Sequence, residues 1–291
     1  MMNSLKMIKL EFTLTAAGEF RLPCFMGNTL RGAIGKALVK LYCEKDAPDC
    51  DLCVNRDRCV YSNVFKCKYV TEYIAESPNP FVIEVGRGKH IFKPGDVLRF
   101  SVVLMGKAIH YADCFINAVR YLADNGFIER NLPFNLTSVK DVYSDRLLDE
   151  KGGDEPDYVE WNDSFQPIET EHISIEFITP FLYSGQNYTN LTFYEFMDRT
   201  FDRIASLIDV YGENEFVIPY NFAFHKNKVK TVCRLKKYIV KQKNKDFETS
   251  VGTVDFYGKL SRYLPYIALG SEVHFGKMST RGLGQYKMTV L

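Results

Sequence analysis

Hydrophobic residues in the first half of the chain follow two different spacings in turn. Residues 6–15, KMIKLEFTLT, alternate apolar and polar side chains with the period of two that is typical of a half-buried strand. From Asn28, a suitable N-cap, the sequence TLRGAIGKALVKLY places Leu30, Ile34 and Leu41 at helical spacing. The remaining faces of this helix carry basic side chains: Arg31, Lys36 and Lys40. The chain therefore opens with a strand and a helix that is basic on its exposed side.

The same alternation continues and defines a fold class. Residues 97–106 predict a strand, 109–126 a helix that ends at Gly126, and 131–143 a further extended segment. We interpret the order as strand, helix, strands, helix and strand, which is the βαββαβ arrangement of a ferredoxin-like unit. Residues 149–160, DEKGGDEPDYVE, are acidic and poor in apolar side chains, which indicates a domain boundary.

A second, similar unit follows the boundary. Residues 172–183 predict a strand, 191–212 a long helix that ends at Gly212, and 228–241 another alternating strand. The fold class is therefore α+β, with an amino-terminal ferredoxin-like domain over residues 1–148 and a carboxy-terminal one over residues 161–291. The two halves share their order of elements and no visible sequence identity.

The net charge excludes a general attraction to polyanions, but one segment is strongly basic. The chain carries 37 basic and 36 acidic side chains, for a formal charge of +1. Nine cations nevertheless occur between positions 226 and 245 before the first acid, Asp246: Lys226, Lys228, Lys230, Arg234, Lys236, Lys237, Lys241, Lys243 and Lys245. His225 stands at the start of this run, and aromatic residues lie among the cations. The run predicts a phosphate-binding face, with a merely solvated face as the alternative.

A glycine-rich segment near the carboxyl terminus, HFGKMSTRGLGQYKM at residues 274–288, adds a second basic element. Its glycines are Gly276, Gly282 and Gly284, and its cations include Lys277 and Arg281. Glycines let a nucleic-acid backbone approach main-chain N–H groups closely, and the neighbouring cations can contact phosphates. The spacing matches neither the dinucleotide-binding nor the nucleoside-triphosphate motif, and a hairpin that only turns the chain is the alternative.

Four cysteines form a possible metal site in a polar loop over residues 43–67. Cys43, Cys50, Cys53 and Cys59 have the spacing C-x6-C-x2-C-x5-C. The central C-x2-C pair can hold one side of a tetrahedral thiolate site, and the outer cysteines can complete it. A structural zinc ion is the first expectation, an iron–sulfur cluster the second, and unligated thiols the alternative.

The remaining sequence features mainly exclude classes of protein. The sequence has no apolar run of about 20 residues that would span a membrane and no signal-peptide pattern, so we expect a cytoplasmic protein. It lacks the local signatures of serine hydrolases and zinc proteases. Of its five histidines, His225 and His274 adjoin the basic run and the glycine-rich segment, and a structural histidine remains the alternative for His274.

Taken together, several segments resemble a known family. These are MGNTLRGAIGKAL, RCVYSNVF, SPNPFVIE, the stretch from PGDVLRF to FINAV, ITPFLY and above all VHFGKMSTRGLGQYKM. They are similar to the CRISPR-associated endoribonucleases of the RAMP superfamily that process precursor crRNA, and the likeness runs from about Leu22 to Met288. The resemblance implies two tandem ferredoxin-like, RRM-like domains with the cysteine loop inserted in the first, and CRISPR repeat RNA as substrate.

The resemblance also implies a reaction. The ribose 2′-OH attacks the adjacent phosphate without a catalytic metal, and the products are a 2′,3′-cyclic phosphate and a 5′-OH. RNA contacts are implied for the glycine-rich segment and for the basic run: Gly276, Lys277, Arg281, Gly282, Gly284, Arg234, Lys236, Lys237, Lys241 and His225. A non-catalytic RAMP subunit that binds crRNA in an effector complex is the alternative. The chain is expected as a monomer or homodimer, away from membranes.

One feature departs from the family pattern, because the chain has no histidine before His90, whereas many relatives carry a catalytic histidine after the first helix. Three possibilities follow. The first, which we favour, is a site built from Arg31, Lys36 and Lys40, with His274 as the titrating partner. In the second, His225 or His274 replaces the missing histidine. In the third, the protein binds repeat RNA and cuts it poorly.

Overall fold

The chain divides into two compact units. The computed structural model describes all residues except 1–2, 24, 45–48, 68–76, 87–90, 127–132, 149–154, 164–167, 184–188, 214–215, 218–227 and 242–245. Lys6–Glu160 form the amino-terminal unit, and Met1–Leu5 together with Trp161–Leu291 form the carboxy-terminal unit. The first residues thus differ from the predicted domain range, because the side-chain amide of Asn3 donates to Asp163 Oδ2 at 2.6 Å.

The amino-terminal unit is a sheet with helices on one face. Its elements are β1 (Ser4–Ala16), β2 (Phe20–Arg21), α1 (Gly27–Tyr42), α2 (Val60–Phe65), β3 (Phe81–Glu84), β4 (Ile91–Phe92), β5 (Val97–Met105), α3 (Ala112–Asn125), β6 (Phe134–Asp141), β7 (Arg146–Leu147) and β8 (Val159–Asn162), with 3₁₀ turns at Arg56–Arg58 and Gly106–Tyr111. The sheet order β3-β5-β1-β6-β7 places the four main strands as a ferredoxin-like fold does.

Alternate residues of β1 supply the core of this unit. The buried side chains of β1 face those of β5 in antiparallel register, and Phe12 stacks on Phe100 with ring centroids 5.1 Å apart. Leu30, Ile34 and Leu38 of α1 are buried in the same cluster as Phe115 of α3. The helical spacing seen in the sequence therefore places the apolar face of α1 inward and its lysines outward.

The carboxy-terminal unit repeats this arrangement. Its elements are β9 (His172–Phe177), α4 (Phe193–Tyr211), β10 (Lys230–Val240), β11 (Phe247–Tyr257), α5 (Leu264–Val273) and β12 (Tyr286–Val290), with 3₁₀ turns at Ser261–Tyr263 and Ser279–Arg281. The antiparallel sheet has the order β10-β11-β9-β12. A capping box starts α4, in which Thr192 Oγ1 accepts from the Glu195 N–H and the Glu195 carboxylate accepts from the Thr192 N–H.

Both helices of this unit pack on one face of its sheet. Phe196 of α4 contacts Phe256 of β11 and Tyr286 of β12, and the Tyr286 hydroxyl donates to the Ile267 carbonyl of α5 at 2.6 Å. The prediction of an α+β fold with two ferredoxin-like units is confirmed. None of the described helices is long and apolar enough to cross a membrane.

Candidate functional site

The glycine-rich segment joins α5 to β12 and folds against its own unit. A Cβ on Gly284, whose φ is +76°, would lie 1.8 Å from the Phe275 carbonyl oxygen, and one on Gly276, with φ +78°, would lie 2.5 Å from the Leu182 oxygen. The Phe275 N–H donates to the Gly284 carbonyl at 2.9 Å. These two glycines are therefore required by internal packing. Gly282 is also left-handed and buried, so an RNA contact by the glycines themselves stays a prediction.

His274 is the first residue of this segment and is buried. It ends α5 with a φ of +64°, is 1% exposed, and its Nδ1 lies 3.1 Å from the Leu283 carbonyl oxygen. A general acid or base has to approach the reacting group directly or through one water. The burial of His274 therefore favours the structural alternative, in which the ring anchors the glycine-rich segment.

The two cations of the segment differ in exposure. Lys277 is exposed, and its N–H donates to the Leu182 carbonyl at 2.8 Å, which fixes the backbone from which its side chain extends. Arg281 is half-buried and closes the 3₁₀ turn of Ser279–Arg281. The rigid glycine framework thus holds two cations on one short turn, an arrangement suited to phosphate contacts.

The basic run supplies the edge strand β10, and its cations divide between the two faces of the sheet. Lys230, Arg234 and Lys236 are exposed on the face opposite the helices, whereas Lys237 has the other orientation. Arg234 pairs with Asp255 and Lys237 pairs with Glu248. Lys241 is exposed just beyond the strand, and His225 lies outside the described residues. The predicted RNA-binding residues of this run therefore do not form one surface.

The predicted catalytic cations of α1 also lie on two sides of their helix. Lys36 and Lys40 are one turn apart and exposed, so they share a face. Arg31 points elsewhere, with its guanidinium carbon 5.0 Å from the centre of the Phe65 ring. The structure therefore brings Lys36 and Lys40 together and assigns Arg31 to packing against α2.

His110, which the sequence did not indicate as a site residue, is exposed. His110 lies in the turn before α3, beside a cavity of about 230 Å³ that is also lined by Ile8, Asp113, Glu155 and Tyr158. Among the described histidines, His172 is half-buried and His274 is buried, so His110 is the most accessible of the three. Its position at a helix flank in the sequence gave no signal of this exposure.

Comparisons with known proteins identify both units. Residues 5–155, about half of the chain, match the family AF_1859_N, described as an N-terminal domain. Residues 175–286, from β9 to the start of β12, match the family of CRISPR-associated endoribonuclease Cas6. The chain belongs to the family AF_1859_N, whose model covers about half of it. The glycines of the glycine-rich segment and the basic strand β10 both lie within the range that matches the Cas6 family.

Individual proteins are similar to this chain in sequence or in structure. An uncharacterized protein of Archaeoglobus fulgidus is 26% identical over 204 residues, which cover 68% of each chain. A Cas6 product complex has a TM-score of 0.61 and 11% identity over 97% of this chain and 100% of its own. A Thermus thermophilus Cas6 has a TM-score of 0.58 and 11% identity over 99% of both chains. The two solved structures share the fold of this chain along nearly its whole length.

The cysteine loop lies in the range that matches AF_1859_N, and its four cysteines stand between the end of α1 and the start of α2. Burial raises the pKa of the Cys50 thiol, and Cys59, Cys43 and Cys53 raise it further, so the four thiols lie close enough to interact. The described residues nevertheless include no group of three or more histidine, cysteine or acidic side chains arranged to hold a metal ion. The thiols are neighbours without forming a ligand shell, and the metal site stays a prediction.

Proposed function

We propose that the protein is an endoribonuclease that cleaves CRISPR repeat RNA in precursor crRNA, without a catalytic metal, for antiviral defence. The observation that carries the proposal is the match of residues 175–286 to the Cas6 endoribonuclease family. That range holds two cations of the glycine-rich segment, the exposed Lys277 and the half-buried Arg281. Phosphate groups are ligands that such cations readily bind.

The proposed reaction is an internal transesterification. The 2′-oxygen of the ribose forms a bond to the adjacent phosphorus, and the bond from that phosphorus to the departing 5′-oxygen breaks. The 2′-OH releases one proton, and the departing 5′-oxygen gains one to become the 5′-OH. The products are a 2′,3′-cyclic phosphate and a 5′-OH. Negative charge gathers on the phosphorane oxygens, and cations at that position stabilise the transition state more than the ground state.

The exposed pair Lys36 and Lys40 is assigned this electrostatic role. Both side chains extend from one face of α1, and neither belongs to the core of the unit. We assign the acid–base role to an exposed side chain. His110 is the most exposed of the described histidines. His274 is assigned to positioning the segment that carries Lys277 and Arg281, because its ring is buried against Leu283.

The proposed mechanism is tested with labelled repeat RNA in excess EDTA. We expect one cut at a defined position, and none in the same RNA with a single 2′-deoxy substitution at the scissile nucleotide, because deoxyribose lacks the nucleophile. The cyclic phosphate is identified with a phosphatase, which removes the terminal phosphate only after acid has opened the 2′,3′-cyclic ring.

Three outcomes contradict the proposal in different ways. Cleavage that EDTA abolishes indicates a metal-dependent nuclease. Cleavage of the 2′-deoxy RNA excludes attack by the 2′-OH. Tight binding with no cut favours the second candidate, a non-catalytic RAMP subunit that holds crRNA in an effector complex.

The predicted zinc site is tested by metal analysis of chain purified without chelator. We expect about one zinc per chain, because four thiolates complete a tetrahedral shell. Cys50→Ser is expected to remove the metal, and Cys114→Ser, a change at a cysteine outside the loop, to retain it. A chain that is folded and free of zinc and iron would contradict the prediction and leave the four thiols unligated.

A further inference from the structure

The sheet of the carboxy-terminal unit has an aromatic pair on the face opposite its helices. His172 of β9 and Tyr257 of β11 lie directly across from each other in register, with ring centroids 4.2 Å apart and planes 20° from parallel. Tyr257 is 36% exposed and the His172 side chain 29% exposed. A stacked pair that remains about a third exposed leaves aromatic surface available to a third ring.

Cross-strand pairing surrounds this aromatic pair with cations. Lys230 of β10 is the register partner of Tyr257 on its other side, so Lys230, Tyr257 and His172 form one row across three strands. Arg234 and Lys287 belong to a parallel row on the same face, and both are exposed. Two acids lie among these cations: Asp255, between the two rows, is 4% exposed and paired with Arg234, and Glu176, the register partner of Lys287, is exposed. The exposed cations Lys230, Arg234 and Lys287 therefore outnumber the exposed acid Glu176.

The same arrangement orients His172. Its Nε2 lies 3.7 Å from Asp255 Oδ1, while Asp255 Oδ2 accepts a hydrogen bond from Arg234. Among the described residues, none forms a hydrogen bond with this shielded Nε2. The Asp255 carboxylate therefore holds the imidazole in place beside Tyr257, and the part of the pair open to a ligand is ring surface.

We propose that this face binds a single-stranded segment of RNA. One base stacks on the Tyr257–His172 pair, and Lys230 and Arg234 contact the phosphates on either side of it. Flat rings with adjacent phosphates are the chemistry that an aromatic surface bordered by cations recognises. The inference rests on the proposed function only in taking RNA as the ligand.

This surface is separate from the glycine-rich segment. The segment leads into β12 at Tyr286, which pairs with Phe177, whereas His172 lies at the opposite end of β9. The two ends of β9 are about 17 Å apart at a rise of about 3.3 Å per residue. An RNA strand of several nucleotides is needed to reach from one site to the other.

The test is fluorescence anisotropy with two probes, the full repeat RNA and an unstructured RNA of about 10 nucleotides. Tyr257→Ala is expected to weaken binding of both about 5- to 100-fold, as loss of one base stack does. Tyr257→Phe, which keeps the ring, is expected to bind within about 2-fold of the unchanged chain. Leu147→Ala, at a large apolar side chain of the amino-terminal unit that is 65% exposed, is the control and is expected to change nothing.

A second variant tests the phosphate contact. Lys230→Gln is expected to lower the slope of log affinity against log salt by about 1, because one phosphate contact is lost. Circular dichroism confirms that each variant is folded. The inference would be overturned if the Tyr257→Ala variant bound the RNA probes with an affinity within about 2-fold of that of the unchanged chain. A higher affinity of the unchanged chain for duplex RNA than for the unstructured probe would also overturn it.

Cleavage assays separate this inference from the proposed function. A chain that binds RNA through Tyr257 and cuts nothing supports the stacking surface and contradicts the nuclease. A chain that cuts repeat RNA equally well with Tyr257→Ala, at unchanged affinity, supports the nuclease and contradicts the stacking surface.

Discussion

Gly284→Ala is expected to unfold the carboxy-terminal unit or to lower its free energy of unfolding by about 3 kcal/mol. The added methyl would lie 1.8 Å from the Phe275 carbonyl oxygen, on a residue whose φ is +76°. Relief of that clash separates two backbone segments that are joined by a hydrogen bond from the Phe275 N–H to the Gly284 carbonyl. It also displaces the buried Phe275 ring, which packs on Phe181 and Phe196. The measurement is the denaturant midpoint and slope by circular dichroism.

Gly32→Ala is the matched control for this substitution. Gly32 lies in α1, and a Cβ there would meet no heavy atom within 4 Å. An alanine inside a helix is expected to stabilise the chain by about 0.5–1 kcal/mol relative to glycine. If Gly284→Ala retained the midpoint of the unchanged chain, the packing described for this segment would be wrong, and a ligand would become the better reason for the glycine.

Because its glycines are held by internal packing, RNA binding by the glycine-rich segment is better tested at its cations than at its glycines. Gly282 has a φ of +80° and is buried, so a β-branched side chain such as valine is strained there whether or not RNA is present. A loss of binding in Gly282→Val is therefore not specific to an RNA contact. Lys277 is exposed and Arg281 is half-buried, and truncation of their side chains leaves the glycine framework intact.

The fold could be predicted where one face of an element is apolar and the other polar. The alternation in β1 and the helical spacing in α4 are of this kind, and both elements are present with nearly the predicted bounds. The elements that the sequence did not predict include α5 and β11. The helix α5, LPYIALGSEV, is apolar on nearly all sides because it is buried on nearly all sides, so it has no periodic pattern. Strand β11 contains Gly252, which lowers its strand signal.

The candidate site was less predictable from the sequence, because the burial and the contacts of its side chains depend on the tertiary structure. Nothing in the sequence distinguishes buried His274 from exposed His110, since both are flanked by apolar residues. The stacking of His172 on Tyr257 depends on the register between β9 and β11, two strands separated by a helix and a further strand. The sequence indicated that β10 is rich in cations. Which of these cations lie on the face opposite the helices can be stated only once the helix-bearing face of the sheet is known.

The exposed face of α1 provides the basis for a prediction about catalysis. Lys36 and Lys40 lie one turn apart, and the apolar side chains that hold the helix are on the other side, including Ile34 and Leu38. Truncation of either lysine therefore leaves the core unchanged. An effect on activity can be assigned to the lost charge, because alanine is at least as good a helix former as lysine.

Lys36→Ala is expected to lower the single-turnover cleavage rate of repeat RNA by about 10²-fold or more, as loss of one group that stabilises transition-state charge does. Affinity for the uncleaved 2′-deoxy RNA is expected to change by less than about 3-fold, since the developing charge is absent from the ground state. Lys36→Arg is expected to restore part of the rate, and Lys93→Ala, at an exposed lysine of the turn after β4, to retain all of it. Equal losses of rate and affinity in Lys36→Ala would assign Lys36 to RNA binding. An unchanged rate would remove α1 from the catalytic site and direct the search to His110.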